Sequence, residues 1–275
     1  MSSIFEEWFW GPNKGVEYRR FDEAWVSYDV VQSYRVVSIF MFIGVLVAGF
    51  FYDVGIIDQF IFFTTWISYL SFVSLILNYL AAEDQHENPG KVTGNQELLW
   101  KSALITSQVS LASDFVVTIV YWTLLFDGTF SPTLKFWYDV FSHGYPLLIN
   151  VLDFALSKFI WRIQHFVAFI ALALTYGAYS YFYQAVTGNT IYGFLDWTNF
   201  TFALIVMLAI IALGSIFWFI FYGISTTYET TITSSNQQYM LPAEISYNHQ
   251  PKVIEINGQR YIQVEQVHAI TPLMV

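Results

Sequence analysis

One threonine and one histidine carry the chemistry this sequence offers. Thr64 stands at the head of an apolar run, and His143 opens the segment HGYPLLINVLD, which ends at Asp153. A threonine hydroxyl becomes a nucleophile only beside a base, and histidine is the usual one. His143 is one of five histidines. An imidazole in an apolar segment with Asp nearby reads equally as a core residue, a proton relay or a general base. His165, beside Trp161 and Arg162, reads as an interface residue, whereas His86, His249 and His268 lie in polar segments.

The polar residues around this pair recur at helical spacing. Thr64, Ser68, Ser71 and Asn78 form one series, Ser107, Ser110, Asp114 and Tyr121 a second, and His143, Asn150 and Asp153 a third. Each series lies on one helix face, which predicts a shared polar interior. Small polar residues also hold membrane helices together, so the stripes alone do not separate a site from a helix interface. Asp153, then Asp114 and Asn150, are the candidates for orienting the imidazole or supplying hydrogen bonds.

The composition determines what must position them. Of 275 residues, 56% are hydrophobic, 20% aromatic and only 12% charged, about half the charge of a soluble domain. There is no cysteine, which excludes disulfides and thiolate metal sites, and no second imidazole accompanies His143, so neither metal nor cofactor is expected. Eleven Lys and Arg against a net charge of −10 argue against nucleic acid as a partner. A multi-pass membrane protein, partnered by lipids, remains.

A bilayer core needs about 20 apolar residues per helix. Six stretches qualify: Val36–Tyr52, Phe60–Leu80, Leu104–Leu125, Phe136–Leu156, Phe166–Tyr183 and Phe202–Tyr222. The fold class expected is therefore an all-α bundle of six transmembrane helices. The fourth stretch, with His143, Asn150 and Asp153, is the least apolar. Six spans place ten Lys and Arg on one side and Lys135 alone on the other, which puts both termini in the cytoplasm, or on the matrix side of an organelle. Endoplasmic reticulum or plasma membrane is favoured, with a mitochondrial membrane kept open. On this topology Thr64 lies four residues past Phe60 and His143 seven past Phe136, about 6 and 10 Å below the same surface.

Outside the spans, residues 1–35 form a cytoplasmic arm. Glu6, Glu7 and Gly11-Pro12 stand where a cleavable signal would need an apolar core. Phe5, Trp8, Phe9 and Trp10 resemble an interfacial cluster, and Phe21–Arg35 reads as a short surface helix or an unstructured segment. Residues 36–223 make the transmembrane domain and 224–275 a polar tail. Alternation around Asn257-Gly258 predicts a β-hairpin over about 252–266. An isolated hairpin is marginal in water, so the tail is a candidate docking element for a protein partner.

At these residues the chain resembles the androgen-induced membrane protein and rolling stone family. Phe62-Phe63-Thr64 is similar to the family's Phe-Leu-Thr pattern, and His143 through Asp153 to its His-x9-acid helix. Val186-Thr187-Gly188 and Ile191 through Trp197 are similar to its Thr-Gly and Leu-Asp-Trp loop, and Phe159–Phe166 is similar to the corresponding run of rolling stone. The resemblance covers roughly Val36 to Tyr222. It implies six membrane helices and, in the androgen-induced branch, a threonine hydrolase of fatty-acid esters of hydroxy fatty acids. On that reading Thr64 is the nucleophile and His143 its base. Gly193 replaces the family's loop proline, and Val140 stands where a second histidine often occurs. The rolling stone branch, linked to myoblast fusion, implies instead a non-catalytic adhesion or fusion factor, or an accessory subunit of a larger membrane complex.

Overall fold

The computed structural model describes residues 3–10, 21–52, 60–88, 94–126, 128, 133–158, 160–239, 252–256 and 259–263. It divides into two units, Met1–Glu229 and Thr230–Val275. The chain is almost entirely helical: α1 (Ser3–Trp10), α2 (Tyr28–Tyr52), α3 (Phe63–Glu87), α4 (Gly94–Val120), α5 (Leu134–Leu156), α6 (Phe166–Thr187) and α7 (Phe200–Tyr239). A π-helical turn, Tyr121–Leu125, extends α4. In the second unit, β1 (Lys252–Ile256) and β2 (Gln259–Gln263) pair antiparallel. The Asn257-Gly258 turn expected between them lies outside the described residues.

Among the described residues, five segments are long and apolar enough to cross a membrane: Tyr28–Gly49, Phe63–Glu87, Gly94–Leu125, Ile163–Thr187 and Trp197–Tyr228. Helix α5 misses on composition, not on length, since its 23 residues reach about 35 Å. Its polar residues Asn150 and Asp153 face inward. Ile149, Asn150, Asp153 and Phe154 are buried, while Leu134, Trp137, Phe141, Leu148 and Leu152 form an exposed apolar stripe on another face. Averaging over the whole helix hides that division.

Helix ends depart from the sequence expectation at two places. The segment expected as a surface helix ending at Arg35 instead joins the first span, because α2 is continuous from Tyr28 through Arg35. Arg35 is fully buried, and a carboxylate partner inside the bundle lets the helix carry it there. At the other end α7 runs through the Ser/Thr-rich stretch to Tyr239, where the sequence placed the start of the polar tail.

Helix α4 is the central strut of the first unit, and α3, α5 and α6 pack against it. Helix α1 covers the end where α4 and α6 begin. Arg162 donates from Nε to the Phe9 carbonyl at 2.6 Å and from a terminal nitrogen to the Trp8 carbonyl at 3.0 Å. These bonds satisfy carbonyls that the helix end leaves free. Phe9 and Trp10 close over the His165 ring, whose Nδ1 meets Gln108 Oε1 at 3.0 Å. Helices α6 and α7 meet through reciprocal knobs: Met207 lies over Gly177, and Phe169 over Gly214.

Candidate functional site

The three polar stripes converge, as their spacing predicts, but only along part of their length. Asp114 Oδ2 accepts from Asn150 Nδ2 at 2.6 Å and from Ser71 Oγ at 2.9 Å. One turn or more away, Ser107 Oγ donates to Asn78 Oδ1 at 2.8 Å and lies 3.0 Å from Ser74 Oγ. Asn78 Nδ2 in turn donates to Asp153 Oδ2 at 2.8 Å, and Arg35 Nε to Asp153 Oδ1 at 2.7 Å. Arg35 also reaches Ser157 Oγ, Gln32 Oε1 and the Phe21 and Asn78 carbonyls. The hydrogen bonds of Asp114, Asn150 and Asp153 therefore go to each other, to Ser71 and Asn78 on α3 and to Arg35, not to the imidazole. Such saturation is what a low-dielectric interior demands of buried polar groups.

Thr64 stands apart from that network, in the first turn of α3. The helix has no side-chain cap from its own N-cap residue, Phe62. The cap comes from the loop after α6, where Tyr192 Oη accepts the Phe63 N–H at 3.1 Å. The hydroxyl and backbone N–H of Thr64 also hydrogen-bond to the Tyr192 phenol, and the Tyr176 hydroxyl lies beside it. Tyr176 Oη donates to the Ile61 carbonyl at 3.0 Å. Burial pushes the Tyr192 phenol above its ordinary range, outweighing these donors. At neutral pH it is a hydrogen-bond donor and acceptor rather than a base.

Below this hydroxyl cluster opens a cavity of about 60 Å³. Val116, Val117, Ala173, Met207 and Ile211 are among its walls, and Phe194 and Leu195 close it from the loop. The loop is itself tied down. Asp196 Oδ1 accepts from Gln184 at 2.6 Å and from the Thr198 N–H at 2.9 Å, and Gln184 Oε1 accepts the Trp197 N–H at 2.8 Å. Leu-Asp-Trp in the sequence is thus the clasp that holds Tyr192 over α3.

His143 is not among the cavity's lining residues. Its ring stacks on Tyr121 at 3.5 Å between centroids, and its carbonyl accepts from Thr118 Oγ1 at 2.7 Å. Its Nδ1 is buried without a hydrogen-bond partner. Thr64 and His143 therefore stand beside the same two turns of α4, but against different faces. Val116, Val117 and Val120 face the cavity, whereas Thr118 and Tyr121 meet the histidine. At about 100° per residue, those faces are separated by roughly a third of a turn. No hydrogen bond joins the threonine to the imidazole among the described residues.

Sequence reasoning missed two participants. Tyr192 lies in a loop, where no periodicity marks it, and only the loop motif around it pointed there. Arg35 was visible as a cation directly before the first apolar stretch at Val36, but its charge alone assigned it to the cytoplasmic side.

Comparison with known proteins adds a distant relationship. No family model and no solved structure matches the chain. The chain spans less than half the length of the curated relative it matches, protein rolling stone of Drosophila melanogaster: 24% identity over 123 residues, 42% of this chain and 44% of that protein. With its apolar helices, the chain is a multi-pass integral membrane protein distantly related to rolling stone.

Proposed function

We propose that this chain is a six-span membrane protein that takes the apolar chain of a lipid into the cavity below Thr64, with the lipid's ester or carboxyl group at the hydroxyl cluster. One observation carries the reading: hydroxyls and helix N–H groups gather at one end of an otherwise apolar cavity, the pattern of an amphiphile. The exposed Leu134-to-Leu152 stripe supports α5 as the sixth span. Both termini are then cytoplasmic, with endoplasmic reticulum or plasma membrane favoured. The arm, residues 1–35, and the tail, 224–275, with a hairpin around 252–266, flank the membrane domain, and the tail docks a protein partner. The test is photo-crosslinking of the purified protein in nanodiscs with a diazirine-bearing alkyl ester. Adducts on Val116, Val117 or Met207 are expected. Adducts confined to the lipid-facing stripe, at Leu148 or Leu152, overturn the reading.

A second reading, hydrolysis of a lipid ester, is favoured by the unpartnered Nδ1 of His143 beside the same turns of α4. Thr64 Oγ1 would attack the ester carbonyl while the imidazole takes its proton. The acyl group would move to Thr64, the alcohol would leave with the proton, and water would release the acid. Tyr192 and the first turn of α3 would hold the oxyanion. This requires the imidazole to reach the cavity face of α4. A fluorophosphonate probe tests it: labelling of wild type lost in both Thr64→Ala and His143→Ala supports hydrolysis, and an unlabelled wild type ends it.

A further inference from the structure

The cavity is small, and its size has a specific cause. An engineered cavity of about 150 Å³ admits benzene, and this one is about 60 Å³. Its long axis is read from the helices that line it. Leu125, in the π-helical turn, and Val116 on α4 stand nine residues apart along the lining, which is at most about 13 Å at the helical rise. Ala173 on α6 and Ile211 on α7 close the deep end with Val116. Between the two ends Met207 crosses from α7 onto α6. A Cβ at Gly177 would stand 2.3 Å from Met207 Sδ, so the thioether rests on bare helix backbone where both residues line the cavity.

We infer that Met207, seated on Gly177, is the residue that limits the length of apolar chain the site accepts, making it selective for short acyl chains. The inference rests on the proposed reading of the cavity as a lipid site. Chemistry supports Met207 as the limiting element. Methionine is unbranched, has three rotatable bonds and fills irregular space. Ala173 sets the second limit, because with Val116 and Ile211 it closes the deep end.

The experiment uses the full chain in nanodiscs and a series of methyl esters of diazirine-tipped fatty acids from butanoate to hexadecanoate, with adducts mapped by mass spectrometry to residues 116–120 and 207–211. Wild type is expected to favour the short probes. Met207→Ala removes three heavy atoms beyond Cβ and should move the optimum several carbons longer, each newly buried methylene favouring the longer probe about fourfold. Met207→Leu, close in volume, should keep the wild-type profile and controls for folding, with size-exclusion elution as a second control. Ala173→Leu should move the optimum shorter. If wild type gives no adduct in the mapped region at any length, the lipid-site reading itself fails. If wild type is labelled there but Met207→Ala leaves the length profile unchanged, the site stands and the role of Met207 is overturned.

Discussion

Arg35 Nε donates to Asp153 Oδ1 at 2.7 Å, joining α2 to α5 between side chains that are 0% and 3% exposed. Removing two charges from water costs several kcal/mol each, so such a pair is tolerated only when every remaining donor and acceptor is matched. Here Asn78 occupies the second carboxylate oxygen, one terminal guanidinium nitrogen donates to Gln32 and to the Phe21 and Asn78 carbonyls, and the other donates to Ser157. Asp153→Ala leaves the guanidinium buried without its counter-ion and should cost about 3–5 kcal/mol. Arg35→Met combined with Asp153→Leu should recover most of that loss. Thermal unfolding of detergent-solubilised protein reads both, and a double variant no more stable than Asp153→Ala would refute the pairing argument.

The same pair shows where sequence reading succeeds and stops. Long apolar runs marked the helices because nothing else in a chain of this composition makes 20-residue stretches. Spacing marked Ser71, Asn78, Ser107, Asp114, Asn150 and Asp153 as inward, and they do meet. Period describes only how a residue sits on its own helix, however. It carries no information on how two helices are rotated about a third, and that rotation separates Thr64 from His143 around α4. Tyr192 was beyond reach for a different reason: a loop has no period, so its hold on α3 is visible only in three dimensions.

The Tyr192 contact is testable alone. Helix α3 has no side-chain cap of its own, and losing a cap costs about 1 kcal/mol. Tyr192→Phe keeps the ring in the cavity wall and removes the acceptor for Phe63 N–H. Amide exchange at Phe63 to Trp66 should quicken by roughly fivefold, with the middle of α3 unchanged. Unaltered protection in that first turn would mean the phenol is not the cap.

Asp196 should make this clasp pH-dependent. Its hydrogen bonds from Gln184 first, and then from the Thr198 N–H and hydroxyl, hold its pKa below the usual carboxylate range. A depressed folded pKa contributes stability that is complete above the unfolded value of 3.8 and is lost as pH falls through the lower folded value. The loop should therefore stay closed through neutral and mildly acidic pH and loosen only below about pH 4. Trp197 fluorescence should report the change in wild type and show no such transition in Asp196→Asn. A transition persisting in that variant assigns it to another group.

Helix α7 is held to α6 by close packing rather than polar bonds, and glycine position decides the cost of adding a methyl. At Gly214 a Cβ would stand 2.1 Å from Phe169 Cζ, whereas at Gly44 on α2 nothing lies within 4 Å. Gly214→Ala should destabilise by about 1–3 kcal/mol through overpacking. Gly44→Ala should be neutral or slightly stabilising, since alanine is the better helix former. Equal unfolding temperatures for the two variants would contradict the reciprocal-knob packing.

The number of spans decides which side the tail occupies. Helix α5 carries its polar residues inward and an apolar stripe outward, which suits a crossing helix, while its mean hydropathy alone would leave it out. If it does not cross, Lys135, Lys158, Arg162, Lys252 and Arg260 all fall on the non-cytoplasmic side, against the usual retention of Lys and Arg in the cytoplasm. If it does cross, only Lys135 does so. Epitope tags at both termini separate these cases after selective permeabilisation of the plasma membrane. Six spans expose both tags to cytoplasmic antibody together. Five spans place them on opposite sides, and that result would remove α5 from the membrane.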